Sequence, residues 1–195
     1  MSKGFSAQER DLIHANLIEA CKQCWSRYGY QKTGIRELAE LANISTGAFY
    51  QFYGSKELLF VATAQEYQQE LIDLFHTTMA AHPGKRGVAL ALKAIISAMA
   101  HMAWLRSMWQ EWPVIMRKLP PDYIEQDFRA DMARIAGIVE EYGLKPTRDS
   151  ESVTQIIDLL LTAVARQDYL PGDTRASVDF IIDAVIDALF EQETP

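Results

Sequence analysis

The chain has 195 residues, 49% of them hydrophobic and 23% charged, and a formal net charge of −7. That length supports one large or two small cores, and no run approaches the ~18 apolar residues of a membrane span, so no membrane partner is expected. The opening MSKGFSAQER is polar and has no apolar signal core, so a cytoplasmic location is expected.

The acid is unevenly spread. Residues 1–60 carry seven Lys and Arg against six Asp and Glu, and residues 61–195 carry twelve against twenty. A polyanionic partner would therefore meet the N-terminal segment, through the placement of Lys3, Arg10, Lys32, Arg36 and Lys56 rather than through net charge.

Ser6-Ala-Gln-Glu9 is a capping-box pattern and predicts a helix from there to Tyr28. Ile13, Leu17, Cys21, Cys24 and Trp25 lie on or beside one apolar face of that helix. The Cys-Lys-Gln-Cys spacing admits a redox or metal reading. Zinc would need two further ligands and only His14 is near, whereas a free Cys behaves as a small hydrophobe. Core packing is the reading that the helix face favours, and no metal or cofactor is expected.

After a break at Gly29-Tyr30, Thr33 is placed to cap a second helix, with Ile35, Leu38, Ala39 and Ala42 at i, i+3, i+4 and i+7. Asn43 suits the left-handed turn that would end it, and Ile44 fills the space between helices. Ser45 is the next expected N-cap, opening a helix over Thr46–Phe52 that is too short to stand alone. Phe49 and Phe52 are expected inside, and Thr46, Gly47, Ala48, Tyr50 and Gln51 outside. Gly54 and Ser55 end that helix and cap the next. Lys56 in a first helical turn opposes the macrodipole, an arrangement suited to meeting a phosphate. Two short helices around a tight turn are the pattern of a helix-turn-helix, which sets one helix in the major groove of DNA.

Over Leu17–Leu59 the chain resembles the TetR family of bacterial transcriptional regulators. The resemblance is carried by Gly29-Tyr30, Thr33, Ile35-x-x-Leu38-Ala39, Ala42-Asn43-Ile44-Ser45, Gly47-x-Phe49-Tyr50-x-Phe52-Tyr53 and Ser55-Lys56-Glu57-x-Leu59. Asn43 stands where the family usually has Gly, Gly34 where Thr or Ser is common, and the recognition helix has no Lys or Arg. The resemblance implies an all-α fold: an N-terminal three-helix helix-turn-helix domain over 1–55, joined to a larger helical ligand-binding and dimerisation domain over 56–195. Phosphate contacts are expected from Thr33, Ser45, Tyr50 and Lys56, and base-edge contacts from Arg36, Thr46, Ala48 and Gln51, with Gly47 allowing close approach. Arg36 suits guanine, Gln51 adenine and Ala48 a thymine methyl.

Beyond Leu58 the pattern is helical throughout. Breaks at His82-Pro83-Gly84, Trp112-Pro113, Leu119-Pro120-Pro121, Gly143 to Pro146 and Leu170-Pro171-Gly172 predict helices over 56–81, 86–103, 104–117 (interrupted at Pro113), 122–142, 150–169 and 174–191. Asp122 to Glu125 is a further capping-box-like start. In 86–103 the polar residues Lys93, Ser97 and His101 are spaced by four on an otherwise apolar helix, which places it near the centre of a bundle. His101 belongs either to that polar stripe or to an internal cavity, with the stripe favoured.

Met99, Met102, Trp104, Met108, Trp109, Trp112 and Met116 follow. Adaptable Met and large Trp surfaces serve equally as core filler and as a site for varied apolar shapes. The resemblance makes Met99, Met102, Trp104, Met108, Trp109 and Trp112 candidates for a small-molecule effector site. Glu111 admits two readings, an exposed side chain or a partner for a cationic ligand.

In 174–191 the acids Asp179, Asp183, Asp187 and Glu191 form one stripe opposite Val178, Ile181, Ile182, Val185, Ile186, Leu189 and Phe190. Residues 156–164 are apolar on nearly all sides. Such a pair is either buried in a larger bundle or matched by a second copy, and the resemblance implies a homodimer through the last two helices. It implies further a repressor that holds a palindromic DNA operator and is released by a small apolar or aromatic molecule. The alternatives are a module that binds a partner protein, favoured by the cation-free recognition helix, and an enzyme. The chain has no phosphate loop, Glu-x-x-His or nucleophile motif, so it is not expected to be an enzyme.

Overall fold

The computed structural model describes residues 5–100, 103–120, 122–164 and 170–191. Its elements are α1 (Ala7–Lys32), α2 (Ile35–Leu41), α3 (Thr46–Phe49), α4 (Lys56–Ala81), α5 (Gly84–Ala100), α6 (Ala103–Met116), α7 (Tyr123–Glu141), α8 (Ser150–Val164) and α9 (Arg175–Leu189). The fold is all-α, with an N-terminal helix-turn-helix followed by a larger set of helices. Among the described residues the only β pairing is an isolated bridge between Pro146 and Phe190.

By contacts the chain forms two compact units, one of Met1–Gln69 with Met102–Pro120 and one of Glu70–His101 with Pro121–Pro195. The division expected at 55/56 follows the expected helix-turn-helix; the compact units place α6 and the first part of α4 with the N-terminal helices.

In the first unit Ser6 caps α1 as expected: its hydroxyl accepts from the Glu9 amide, and the Glu9 carboxylate accepts from the Ser6 amide at 2.7 Å. Leu17, Cys21, Cys24 and Trp25 are buried on one face of α1. Trp25 packs on Phe60 of α4 and Trp104 of α6, with ring centroids 4.3 and 5.9 Å away, and Trp104 meets Tyr67 edge-on at 5.1 Å. Both cysteines are free, and burial pushes the Cys21 thiol up to about 12 and the Cys24 thiol up to about 11. These are packing residues.

In the second unit α5 lies against α9, as its apolar surface requires. Val88, Ala91, Leu92, Ile95 and Ile96 are buried with Val178, Ile182, Ile186 and Leu189 in one core cluster. The acid stripe of α9 is answered from α5: Lys85 meets Asp187 and Lys93 meets Asp183, each at 2.7 Å. Gly87 is required, because a Cβ there would stand 1.6 Å from the His82 carbonyl oxygen. α7 is closed just beyond its end by Gly143, whose φ of 60° lets the Leu144 amide reach back to Val139. Residues 145–147 then pair with the end of α9, through Thr147 to Leu189 and Glu191 to Lys145.

Two local expectations are corrected. Asp122 has a helical backbone and caps nothing; its carboxylate accepts instead from the Gln126 side chain. Pro113 does not divide its helix but sits inside α6. Residues 165–169 of the expected 150–169 helix lie outside the described residues, as does His101.

Candidate nucleic-acid interface

The helix-turn-helix forms around two residues that the sequence marks. Ala42 closes α2, and Asn43 takes φ 57°, the one non-glycine residue with positive φ among those described. The Ile44 amide then donates to the Ala39 carbonyl at 2.9 Å, leaving Ile44 half-buried. Ser45 caps α3, its hydroxyl accepting from the Ala48 amide at 3.1 Å. The helix proper is the single turn Thr46–Phe49, continued as turns to Phe52 rather than as the longer helix expected.

Phe49 is fully buried and anchors this turn, while Thr46, Gly47, Tyr50 and Gln51 are exposed. Ala48 is corrected: at 9% exposure its methyl belongs to the core, so it cannot meet a thymine from the reading face. Each residue turns a helix by about a quarter to a third of a revolution, and the face centred on Phe49 includes its neighbour. On α2, Leu38 and Ala39 are buried and Arg36 is exposed. The Arg36 Nε donates to Glu40 at 2.8 Å, with the two side chains 87% and 64% exposed, and this bond and the Glu40 charge raise the guanidinium pKa. A pair this exposed is held weakly, so its guanidinium is available to a base edge.

Two expected phosphate ligands are occupied inside the fold. Thr33 does not cap α2; Gly34 holds the N-cap position without a side-chain bond. Thr33 is 1% exposed and its hydroxyl donates to the Gly29 carbonyl at 2.8 Å, the i−4 bond typical of Ser and Thr. Lys56 Nζ donates to the carbonyls of Tyr30 and Thr33 at 2.9 and 2.8 Å and lies 4.3 Å from the Tyr30 ring centre. Burial lowers its pKa. A cation at the start of α4 is thus explained by the carbonyls at the end of α1, where positive charge is favoured.

Tyr30 is the centre of a junction that the sequence did not disclose. Gly29 interrupts α1 at φ 74°, ψ 172°. The amides of Tyr30 and Gln31 then donate to the Glu111 carboxylate of α6, at 2.6 and 3.4 Å. The Tyr30 hydroxyl donates to Glu57 at 2.5 Å, and its ring meets Phe60 edge-on at 5.2 Å. Lys118 approaches from beyond α6, 3.8 Å from Glu57 and 5.2 Å from the Tyr30 ring centre. Burial and the Glu57 bond hold the Tyr30 phenol above its usual range. Burial also acts to raise Glu57, but the bonds from Tyr30, its own backbone and Ser55, with the Lys118 charge, outweigh it and leave that carboxyl low. Both readings of Glu111 are therefore corrected: it is a backbone clamp.

The expected effector residues do not all fall in one unit. Met99 is half-buried against the core of the second unit. Trp104 and Met108 are buried, and Trp112 half-buried, in the first. Met102 and the side chain of Trp109 lie outside the described residues. Among the described residues no three His, Cys, Asp or Glu side chains are grouped to hold a metal, and no helix is long and apolar enough to cross a membrane.

A family model for bacterial regulatory proteins of the tetR family matches residues 17–63, the segment that forms this turn and the α1 and α4 side of the junction. Residues 17–63 are a TetR-family segment. The likeness to known proteins extends past that segment. The chain is 23% identical over 180 residues, 92% of its own length and 83% of the other's, to the HTH-type transcriptional repressor Rv1474c of Mycobacterium tuberculosis. Two solved structures share its fold. Thermus thermophilus FadR, a TetR-family repressor in complex with lauroyl-CoA, aligns with TM-score 0.66 at 19% identity over 93% of this chain and 97% of that one. RolR in complex with resorcinol aligns with TM-score 0.63 at 23% identity over 93% and 88%.

Proposed function

We propose that the chain is a repressor that binds a palindromic operator as a homodimer and releases it when a small apolar or aromatic molecule binds. The observation that carries the reading is the exposed face around the Ser45 cap, with Thr46, Gly47, Tyr50, Gln51 and Arg36 accessible over a turn locked by Asn43 and Phe49. Ser45 and Tyr50 serve phosphates; Arg36, Thr46 and Gln51 serve base edges. Residues 1–55 read DNA, and 56–195 pair the copies and take the effector.

Pairing through α8 and α9 is supported by large apolar side chains left in water, Leu159 at 70%, Phe180 at 73% and Ile181 at 45% exposure. A C₂ pair would set two reading heads on half-sites one helical turn apart or a multiple of it. Resorcinol in RolR and lauroyl-CoA in FadR support an apolar or aromatic effector. Within the first unit the half-buried Trp112 is the proposed contact, and Trp104 and Met108 shape the site from within the core.

Enrichment of fragments from a random DNA pool by the full chain tests the reading. An imperfect palindrome, bound by a species of twice the monomer mass in sedimentation, is expected. No enrichment would refute DNA binding and favour a protein partner; a monomer at micromolar concentration would refute the pairing.

A further inference from the structure

The junction at Tyr30 ties two things together: the break that leads into α2, and a carboxylate on α6. The first amides of a helical turn have no partner within the helix. After Gly29 these are the amides of Tyr30 and Gln31, and Glu111 accepts from both. A carboxylate is suited to that place by charge as well as by its two oxygens. The remaining bonds close the same point from other directions. Lys56 takes the Tyr30 and Thr33 carbonyls, Thr33 takes the Gly29 carbonyl, and Glu57 takes the Tyr30 hydroxyl. α2 begins at Ile35, directly after this knot, and carries Arg36. Pro113, two residues beyond Glu111, lacks an amide and so leaves α6 short of one backbone bond beside the clamp.

We propose that Glu111 is a positioning residue for DNA recognition: its carboxylate fixes the backbone at Gly29–Gln31, sets the direction in which α2 and α3 leave α1, and releases DNA when it is withdrawn. The inference rests on the proposed DNA binding and adds to it the regulated contact. α6 is the element that bears both the clamp and the residues Trp104, Met108 and Trp112. A rotation of α6 that moves the carboxylate by about 1 Å takes the shorter bond out of hydrogen-bonding range, so a small motion is sufficient.

The test uses the full chain, as wild type, Glu111→Ala and Glu111→Gln, with DNA fragments enriched by the wild type as probe. Amide exchange at Tyr30 and Gln31 reports the clamp, and fluorescence anisotropy reports DNA affinity. Glu111→Ala is expected to lose protection at those two amides at least about tenfold, with amides of α5 and α9 unchanged, and to bind DNA at least about tenfold more weakly, the loss of one charge-assisted bond. Glu111→Gln retains an acceptor oxygen and is expected to recover most of both. It also decides the matter if the alanine variant does not fold. Loss of protection in Glu111→Ala with unchanged DNA affinity overturns this proposal alone, as does Glu111→Gln binding no better than alanine. A wild type that enriches no DNA overturns the proposed function, and the DNA half of this proposal with it.

Discussion

Replacing Gly29 with Ala probes the break and the clamp together. Gly29 holds φ 74° and ψ 172°, a region essentially reserved for glycine, where another residue costs about 1–3 kcal/mol. The added Cβ would also stand 2.9 Å from both Glu111 carboxylate oxygens, so the carboxylate must withdraw. Withdrawal lengthens the 2.6 Å bond from the Tyr30 amide, a charge-assisted bond worth about 1.5–3 kcal/mol when intact; the 3.4 Å bond from Gln31 adds little. The expected loss runs from about 1 kcal/mol for the backbone alone to about 6 kcal/mol with the whole bond, against the 5–15 kcal/mol that is typical of a folded protein. At about 2–4 °C per kcal/mol for a chain of this size, melting falls by about 2–24 °C. Urea and thermal unfolding followed by tryptophan fluorescence measures it, in Gly29→Ala, Glu111→Ala and the double variant. Both single changes act on the same bond, so the double variant is expected to lose less than the sum, by as much as about 1.5–3 kcal/mol. Additive losses, within about 0.5 kcal/mol, would refute the geometric argument.

Further outcomes are open to measurement. Arg36→Ala is expected to flatten preference at one guanine by about tenfold or more in competition binding, and unchanged preference would remove Arg36 from the base-reading set. Asp158 is raised to about 6 by burial and by the charges of Asp131 and Asp127. Its folded pKa exceeds the unfolded 3.8, so the stability it contributes is full below that pH and is lost as pH rises through about 6. Asp158→Asn is therefore expected to stabilise the protein at pH 7.5 by about 1–2 kcal/mol, discounted for partial solvent screening, and to change nothing near pH 3.5; a pH series of urea midpoints checks both. Cys21 and Cys24, buried with thiols pushed up to about 12 and 11, are expected to resist a thiol reagent at pH 8 until urea unfolds the chain. Reaction of either in the native state would reopen a redox role.

Local features were legible because their causes are local. Pro83, Gly84, Gly143 and Pro171 punctuate the helices where the sequence puts them, and Asn43, Ser6 and Ser45 act through bonds to residues at most three away in the chain. The misread residues have partners that spacing cannot reveal. Lys56 answers carbonyls 26 and 23 positions earlier, and Glu111 answers amides 81 and 80 positions earlier. The acid stripe of α9 is legible, but its partners are not, because Lys85 and Lys93 lie on another helix. Thr33 shows a finer limit: a hydroxyl beside a break serves the helix behind it as readily as the one ahead, and the sequence does not say which.

The first compact unit is discontinuous in the chain, and this has a consequence for biosynthesis. Its two segments end at residue 69 and resume at residue 102. At translation rates of about 5–20 residues per second, the 51 positions between Gln69 and Pro120 take about 3–10 s to make. Through that interval the emerging α1 has neither Trp104 against Trp25 nor a carboxylate for the amides after Gly29. A chain truncated before α6 is therefore expected to leave Trp25 without Trp104 and the amides of Tyr30 and Gln31 without their carboxylate.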